Sequence, residues 1–333
     1  MPTATADDRL HLVALDTEAH LAEFAEDVAQ GLASEPRRLS CRYFYDELGS
    51  QLFEQICDLP EYYVTRTERV ILQERAPEIA ALFPGETAMV ELGSGSSAKT
   101  RILIEAFLHR HSSLRYVSID ISPTILEQSS TALLQEYPRL EVVAVAAEYA
   151  EGLRWLKTET GRPKLILWLG SNVGNLGRAE ATQFLLRIRG AMSPGDRLLA
   201  GIDLRKERAV LERAYDDSQG VTARFNLNIL SRINRELDAD FDPSAFRHQA
   251  VWNEELGRVE MYLVSLREQS VRIGRLARVI RFASGEAIHT ENSYKYSPEE
   301  IAALAHSAAL GIERQWVDAQ GRFSVNLLAP ERA

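Results

Sequence analysis

The sequence predicts an α/β fold in which a domain with a parallel β-sheet is interrupted by a smaller α+β domain. Three observations lead to this prediction. Short apolar segments alternate with helical segments between residues 88 and 202, which is typical of parallel strands joined by crossover helices. The first apolar segment runs into a glycine turn, and ligands of open parallel sheets bind at that edge. After Asp203 the alternation stops and hairpin-like segments follow. A Rossmann-like sheet with an inserted domain accounts for all three.

Local patterns predict the individual elements. Apolar residues at a period of three to four indicate helices, and short apolar runs bounded by Gly, Pro or Asp indicate strands. Ser297, Pro298 and Glu300 give the clearest helix start, a capping box with proline in the first turn. Residues 1 to about 14 have no pattern. The predicted helices are 17–33, 65–83, 99–110, one starting at 122–123, one near 207–215 and 297–311; the predicted strands are 88–92, 115–119, 140–145, 164–169, 197–202, 246–252, 258–266, 272–282 and a last hairpin within 313–328.

The order of these elements divides the chain into two domains. We expect residues 14–203 and 296–333 to form the domain with the parallel sheet, because its alternating pattern is completed by the C-terminal helix and hairpin. Residues 204–295 are then the inserted domain.

Composition and charge exclude several classes of protein. The formal net charge of −10 opposes binding to nucleic acid and to anionic membranes, and no stretch reaches the ~18 apolar residues of a membrane span. Cys41 and Cys57 form neither a C-x-x-C pair nor a disulfide framework, which favours a reducing cytoplasm. His109 and His111 lack the further ligands of a metal site. We therefore expect a cytoplasmic, metal-free monomer that acts on a small molecule.

The turn after the first strand is the strongest local signal. Gly93 and Gly95 allow the backbone to approach a ligand, but with Ala98 they also fit the G-x-G-x-x-A pattern of dinucleotide-binding enzymes. Two features favour a methyltransferase over an NAD-linked oxidoreductase. Glu91, next to the turn, suits a sulfonium cation better than a pyrophosphate. Asp120 follows Gly93 by 27 positions (120 − 93), later than the ~20 of the dinucleotide pattern. A non-catalytic nucleoside or amino-acid sensor is a third alternative.

Two further acidic residues follow the next predicted strands. Asp120 could accept hydrogen bonds from both hydroxyls of a ribose through its two oxygens. Glu148 follows the third strand and could meet the adenine side of a nucleoside. Both fit a nucleoside-containing ligand at this edge of the sheet.

Longer motifs, distributed over both halves of the chain, point to one family. They are YFYDELGS at 43–50, LPEYY at 59–63, TRTE at 65–68, ELGSG at 91–95, KTR at 99–101, LGS at 169–171, GNL at 174–176, AYDD at 214–217, GVT at 220–222, FN at 225–226, NREL at 234–237 and TENSYK at 290–295. With these motifs the chain, from about residue 20 onward, resembles the L-histidine Nα-methyltransferases of ergothioneine biosynthesis. The resemblance implies a class I methyltransferase sheet with an inserted substrate-binding domain.

The resemblance also implies a set of residues that bind S-adenosylmethionine. By position they are Gly93, Lys99, Asp120, Ala147 and Glu148. The family has a Gly-Asp pair at the last two of these positions, so this chain retains the carboxylate on a longer side chain.

For the substrate, the resemblance implies residues for the backbone groups, for the imidazole and for the pocket wall. They are Tyr62, Asn175 and Tyr215 for the amine and carboxylate, Glu291 and Ser293 for the imidazole, and Tyr45, Phe53 and Met261 for the wall. Asn175 and Tyr62 would position the amine, without a dedicated catalytic base. The implied reaction is three successive methyl transfers to the α-amino group of L-histidine, giving hercynine. Tryptophan or another aromatic amino acid is the alternative substrate.

Residue by residue, each assignment has a purely structural alternative. Met261 shares a strand face with apolar neighbours and would by spacing alone belong to the core. Tyr62 could be a packed aromatic side chain. Asn175 could fill a left-handed turn position, and Glu291 could be a solvated loop charge. The functional interpretation is favoured because all of these residues together match the substrate site of one family.

Overall fold

The computed structural model describes residues 9–14, 17–95, 97–121, 123–157 and 161–331, and the structural statements below refer to these residues. The chain divides into two compact units, each built from separate segments. The first unit comprises the described parts of Met1–Leu15, Val64–Leu204 and Tyr296–Ala333, and the second comprises those of Asp16–Tyr63 and Arg205–Lys295.

Within the described residues the chain forms fourteen β-strands and ten α-helices. The strands are β1 (Leu10–Ala14), β2 (Arg37–Arg38), β3 (Ala88–Leu92), β4 (Leu114–Asp120), β5 (Leu140–Ala146), β6 (Lys164–Trp168), β7 (Arg197–Asp203), β8 (Phe246–Asn253), β9 (Arg258–Ser265), β10 (Gln269–Ile273), β11 (Arg278–Phe282), β12 (Ala287–Tyr294), β13 (Leu310–Val317) and β14 (Phe323–Pro330). The helices are α1 (Thr17–Ala33), α2 (Glu47–Asp58), α3 (Tyr63–Ala81), α4 (Thr100–Arg110), α5 (Pro123–Glu136), α6 (Tyr149–Leu156), α7 (Arg178–Arg189), α8 (Arg208–Tyr215), α9 (Val221–Leu237) and α10 (Pro298–Ser307). None of these helices is long and apolar enough to cross a membrane.

The first unit contains an eight-stranded sheet in the order β1-β5-β4-β3-β6-β7-β14-β13. Strands β1 to β7 of this sheet run parallel, and β14 pairs antiparallel with β7 and with β13. Every residue of β3 and β6 is buried, as expected for strands covered on both faces. The strand order reverses at β3, which pairs with both β4 and β6, so a crevice for ligands lies at its carboxyl end. The predicted Rossmann-like α/β fold is confirmed.

The second unit is built around a four-stranded sheet in the order β2-β12-β9-β8, with the antiparallel hairpin β10–β11 beside it in sequence. Helix α9 buries Phe225, Ile229, Ile233 and Leu237, which recur every four residues and form one apolar stripe. Asp217 caps this helix, because its carboxylate accepts hydrogen bonds from the amides of the first helical residues at 2.7–3.0 Å. The unit therefore combines an antiparallel sheet with helices, as an α+β fold requires.

The division of the chain differs from the predicted domain boundaries at one point. The prediction assigned residues 14–63 to the domain with the parallel sheet, whereas all but the first two of them belong to the second unit. Strand β2 pairs with β12, Asn228 of α9 donates to Asp46 at 2.7 Å, and Arg232 of α9 donates to the carbonyl of Tyr43 at 3.0 Å. Sequence order alone did not reveal this, because these partners lie far along the chain.

Most of the other predicted elements are found, with small differences at their ends. Helices α2, α6, α7 and α9 were not predicted, and the predicted strand 272–282 contains the end of β10, a 3-10 turn at Gly274–Leu276 and β11. Residues 10–14, which have no sequence pattern, form strand β1 at the edge of the sheet beside β5. Helix α10 has the predicted capping box at Ser297 but ends at Ser307 instead of residue 311, because Ala309 takes a left-handed conformation and β13 begins at Leu310. The predicted cap at residue 122 lies outside the described residues.

Candidate functional site

The glycine turn after β3 is shaped by its neighbours in the first unit. Gly93 has a φ of +76°, and its amide donates to the carbonyl of Ile119 at 2.8 Å, which ties the turn to the end of β4. A Cβ at Gly93 would lie 2.5 Å from the hydroxyl of Tyr149, so only glycine fits there. Gly95 also has a positive φ, but a Cβ there would meet nothing within 4 Å. Gly93 is therefore packed against protein atoms, whereas the space beside Gly95 is open to a ligand.

Two acidic residues and the turn come together at the ends of three adjacent strands. The Oδ2 atom of Asp120, the last residue of β4, accepts a hydrogen bond from the amide of Gly95 at 3.0 Å. The amide of Ala147 donates to the carbonyl of Asp120 at 3.0 Å, which joins the end of β5 to the same edge. Glu148 precedes α6 and does not cap that helix with its side chain. One oxygen of Asp120 thus orients the glycine turn, although the sequence suggested that both would bind ribose.

Lys99, the residue before α4, is held by a carboxylate that the sequence interpretation did not assign to the site. Its ammonium forms an ion pair with Glu68 of α3, whose side chain is fully buried. The amide of Gly170, which follows β6, donates to both Glu68 oxygens at 2.9 and 3.0 Å. A Cβ at Gly201 would lie 1.8 Å from Glu68, so glycine is needed on β7 as well. Glu68 is the last residue of the TRTE motif, but its partners Lys99 and Gly170 are far along the chain and are known only from the fold.

Glu91 has a different role from the one suggested by the sequence. It is buried within β3, and its oxygens accept hydrogen bonds from the hydroxyls of Thr100, at 2.6 Å, and Tyr116. Burial raises the pKa of Glu91 to about 7, against the opposing effect of these hydrogen bonds. The carboxylate therefore joins β3 to α4 and β4 inside the sheet, and the interpretation of it as a charge for the sulfonium is not needed.

Asn175 also belongs to the first unit. It ends a short 3-10 helix, Asn172–Asn175, that follows β6, and it is half-buried. Its φ is not positive, whereas that of Ser171 is +60°. The alternative that Asn175 fills a left-handed turn position is therefore wrong. Asn172 at the start of this turn lies beside Gly93, because a Cβ there would be 3.4 Å from the Asn172 amide nitrogen.

The second unit brings four of the predicted aromatic residues into one row. The ring centroids of Tyr45 and Phe53 are 5.5 Å apart, those of Phe53 and Tyr62 are 6.3 Å apart, and those of Tyr62 and Tyr215 are 6.2 Å apart. All three pairs are edge-to-face, which is the favourable orientation for aromatic rings. Burial raises the pKa of Tyr62 well above its usual value, with smaller contributions from neighbours that include Tyr215 and Glu291. Its phenol is therefore protonated at neutral pH.

The predicted imidazole-binding residues lie on adjacent strands of the second unit's sheet. Glu291 of β12 is opposite Met261 of β9, and Ser293 follows two residues later on the same face. The Oγ of Ser293 is 2.7 Å from the hydroxyl of Tyr215. Glu291 is therefore not a solvated loop charge, and Met261, which is 1% exposed, faces the same side as Glu291.

The Glu291 carboxyl group has a shifted pKa. Burial raises its pKa to about 7, and the charge of Lys295 is the opposing influence. Among the described residues no donor is within hydrogen-bond distance of its oxygens. The side chain is half-buried, so its oxygens remain accessible to a ligand that brings a hydrogen-bond donor.

Comparison with known proteins identifies the family. Residues 24–330 match the family described as histidine-specific, SAM-dependent methyltransferases. The chain is 45% identical to the histidine N-alpha-methyltransferase of Mycobacterium tuberculosis, over 93% of this chain and 95% of that protein. It is 33% identical to ergothioneine biosynthesis protein 1 of Neurospora crassa, over 89% of this chain and 34% of that protein. Among solved structures, the CcbJ methyltransferase of Streptomyces caelestis matches with a TM-score of 0.44 and 13% identity, over 78% of this chain and 90% of that one.

These matches decide between the two interpretations of the glycine turn. The NAD-linked alternative is wrong, and the turn belongs to an enzyme that uses S-adenosylmethionine. This chain is therefore a member of the family of histidine-specific, S-adenosylmethionine-dependent methyltransferases.

Proposed function

We propose that this enzyme transfers methyl groups from S-adenosylmethionine to the α-amino group of L-histidine, three times in succession, to give hercynine for ergothioneine biosynthesis. The observation that carries the proposal is the half-buried carboxylate of Glu291, which accepts no hydrogen bond from the described residues and lies on one sheet face with Ser293. An imidazole N–H is the donor that this pocket lacks. The 45% identity to a histidine N-alpha-methyltransferase supports the same substrate.

Residues of the glycine turn in the first unit are suited to binding S-adenosylmethionine. The Oγ of Ser94, inside the glycine turn, is buried without a hydrogen-bond partner among the described residues, and space is open above Gly95. Asp120 would hold the ribose, Glu148 the adenine side, and Lys99 the carboxylate of the methionine part. The bound molecule supplies a methyl group on a positively charged sulfur. The residues around it need only align that group with the attacking nitrogen.

The substrate amine must be neutral to attack, because protonation occupies its lone pair. The usual pKa of an α-amino group is near 8, and partial desolvation beside a cation lowers it. Asn175 would accept a hydrogen bond from the amine through Oδ1, and this leaves the lone pair directed at the methyl group. Tyr62 would donate to the substrate carboxylate, because its raised pKa keeps the phenol protonated. No residue is assigned as a dedicated base.

A substrate panel tests the proposal. The enzyme is incubated with S-adenosylmethionine and each of the twenty amino acids, and products are analysed by mass spectrometry. Histidine should gain one, two and then three methyl groups, with fragmentation locating them on the α-nitrogen. If histidine stays unmodified while tryptophan or another aromatic amino acid gains mass, the alternative substrate replaces it.

A further inference from the structure

Lys295 is the most deeply buried charged group of the second unit outside the residues assigned so far. It directly follows β12, its side chain is 0% exposed, and its backbone amide donates to the carbonyl of Gly257 at 2.9 Å. Burial of an ammonium group costs several kcal/mol unless its partners compensate. Its partners therefore indicate what the charge does.

The ammonium of Lys295 is bonded to two residues of the proposed substrate site. Nζ donates to the hydroxyl of Tyr215 at 2.8 Å and to Oγ of Ser293 at 2.9 Å, and these two oxygens are 2.7 Å apart. Nζ also lies 4.7 Å from the centroid of the Tyr215 ring. The three polar groups form a closed triangle, in which an ammonium can only donate.

Proton counting shows what this triangle does to the two hydroxyls. Each oxygen must accept from Lys295, and one of the two O–H groups lies in the bond between Tyr215 and Ser293. One hydroxyl proton is then left to point away from the triangle. If Ser293 donates to Tyr215, the phenol O–H points outward as a donor, while a lone pair of Ser293 stays open for a ring N–H. That arrangement matches a substrate that presents a carboxylate and an imidazole.

The charge of Lys295 also acts on Glu291. It is the influence that lowers the pKa of this carboxyl group against the effect of burial. The phenols of Tyr62 and Tyr215 are further titratable groups of this site, and the charge of Glu291 contributes to the raised pKa of Tyr62, whose phenol stays neutral. His289, two residues earlier on β12, directs its ring to Asn292 at 2.9 Å. Glu291 and Ser293 lie on one face of β12, and Lys295 donates to Ser293 at 2.9 Å, so the ammonium lies on the same side of the sheet as the Glu291 carboxylate and balances its charge.

We infer that Lys295 is a positioning residue of the substrate pocket, which orients the hydroxyls of Tyr215 and Ser293 and supplies the charge that balances Glu291. The inference rests on the proposed function, since it assumes that this pocket binds histidine. Lys295 does not contact the reacting atoms. It determines which hydrogen bonds Tyr215 and Ser293 can offer to the substrate.

The test is a calorimetric titration of histidine into the enzyme saturated with S-adenosylhomocysteine, between pH 6 and pH 9. Lys295→Met keeps the length of the side chain and removes only the ammonium. It should weaken histidine binding at least ~10-fold, as expected for hydrogen bonds to a charged group. It should also move the acidic fall of affinity to higher pH by about one unit, because Glu291 loses a nearby cation. Titration of the histidine ring is common to all variants and cancels in the comparison.

Two control variants separate charge from packing. Tyr215→Phe removes one acceptor of Lys295 but leaves its charge, so affinity should fall without a shift of the pH profile. In a Glu291→Gln background, Lys295→Met should no longer shift the profile, because the group that titrates is gone. A merely structural lysine predicts weaker binding at every pH in both backgrounds, with no shift.

The outcomes distinguish the inference from the proposed function. If the wild-type enzyme does not bind histidine, the proposed function fails. If it does bind histidine and the profile of Lys295→Met coincides with that of the wild type, only the inference is refuted. Should Lys295→Met not fold, Lys295→Gln, which keeps N–H donors and loses the charge, carries the same prediction for the shift of the pH profile. If neither neutral variant retains the wild-type circular dichroism spectrum, Lys295 is a structural residue and the inference is rejected.

Discussion

The residues assigned to S-adenosylmethionine and those assigned to histidine are held in place in different ways. Near the glycine turn, two acidic side chains accept hydrogen bonds from the backbone: Asp120 from the amide of Gly95, and Glu68 from the amide of Gly170. Among the residues assigned to histidine, the described hydrogen bonds join side chains, as in the triangle of Lys295, Tyr215 and Ser293. Backbone amides are present whatever the side chains are, so the first arrangement suits a methyl donor that is common to many enzymes. Side-chain contacts can be exchanged one by one, and the second arrangement suits selection of one amino acid.

The comparison predicts that the largest loss of stability follows from removal of Glu68. Glu68→Ala leaves the ammonium of Lys99 and the amide of Gly170 without this buried carboxylate. Breaking a buried ion pair from one side costs about 3 kcal/mol or more. The free energy of unfolding, measured by urea denaturation, should fall by that amount, and affinity for S-adenosylhomocysteine should fall with it. Glu74→Ala, on the same helix with a side chain that is 62% exposed, should change stability by less than ~0.5 kcal/mol. Equal effects of the two variants would contradict the role of Glu68.

Removal of the contact between Asp120 and the backbone should weaken cofactor binding. Asp120→Ala should weaken binding of S-adenosylhomocysteine by about 1.5–3 kcal/mol, the range for hydrogen bonds to a charged group. Asp120→Asn should lose less, because its amide oxygen can still accept from the amide of Gly95. Calorimetric titration of the three proteins gives the order of affinities. Unchanged cofactor affinity in Asp120→Ala would remove this residue from the site.

On the substrate side, we expect specificity to depend on Glu291 and Met261. The double variant Glu291→Ala with Met261→Val removes the carboxylate that would pair with an imidazole N–H and adds space on the same sheet face. The ratio of kcat/KM for histidine to that for tryptophan should fall at least ~10-fold, which corresponds to about 1.4 kcal/mol. Steady-state kinetics with both substrates measure it, and thermal melts check the fold. An unchanged ratio in a well-folded double variant would refute the imidazole assignment.

The smallest expected effect is a pH dependence of stability. The pKa of Glu291 is raised to about 7 in the folded protein, so folded molecules retain a proton that unfolded chains release above their ordinary pKa near 4.5. Stability therefore falls as pH rises through this window. Glu291→Gln abolishes the fall, and its free energy of unfolding relative to wild type should increase by about 1–2 kcal/mol between pH 5 and pH 8.

Glu286→Gln is the matched control for this pH effect. The carboxylate of Glu286 accepts hydrogen bonds from the amide of Ala283 and from Arg37, and its pKa is lowered. Its contribution therefore stays constant between pH 5 and pH 8 and is lost only at lower pH. Parallel stability curves for Glu291→Gln and wild type over this window would show that the Glu291 carboxyl group is solvated.

The sequence predicted strands β3 to β7 of the first unit because their signals are local, whereas β1 and helices α6 and α7 were not predicted. Buried strands such as β3 are continuous apolar runs, and the glycines of the turn mark a backbone conformation that other residues rarely adopt. The roles of Glu68 and Lys295 could not be predicted, because their partners are set by the fold. Glu91 was misinterpreted for the same reason: its nearness to the turn in sequence says nothing about the direction of its side chain. The assignment of segment 16–63 failed because its pairing with β12 spans some 250 positions.

The discontinuous composition of both units has a consequence for synthesis on the ribosome. The second unit needs residues up to Lys295 before its N-terminal segment finds its sheet, and the first needs β14 before β7 gains its outer neighbour. Neither unit can therefore be completed until nearly the whole chain has emerged. Until then the aromatic residues ahead of α3 lack their distant partners, and incomplete chains of this kind expose apolar surface. A chain that ends before residue 323 lacks β14 and leaves the edge of β7 unpaired, so a shortened cofactor-binding fragment would need this strand edge redesigned.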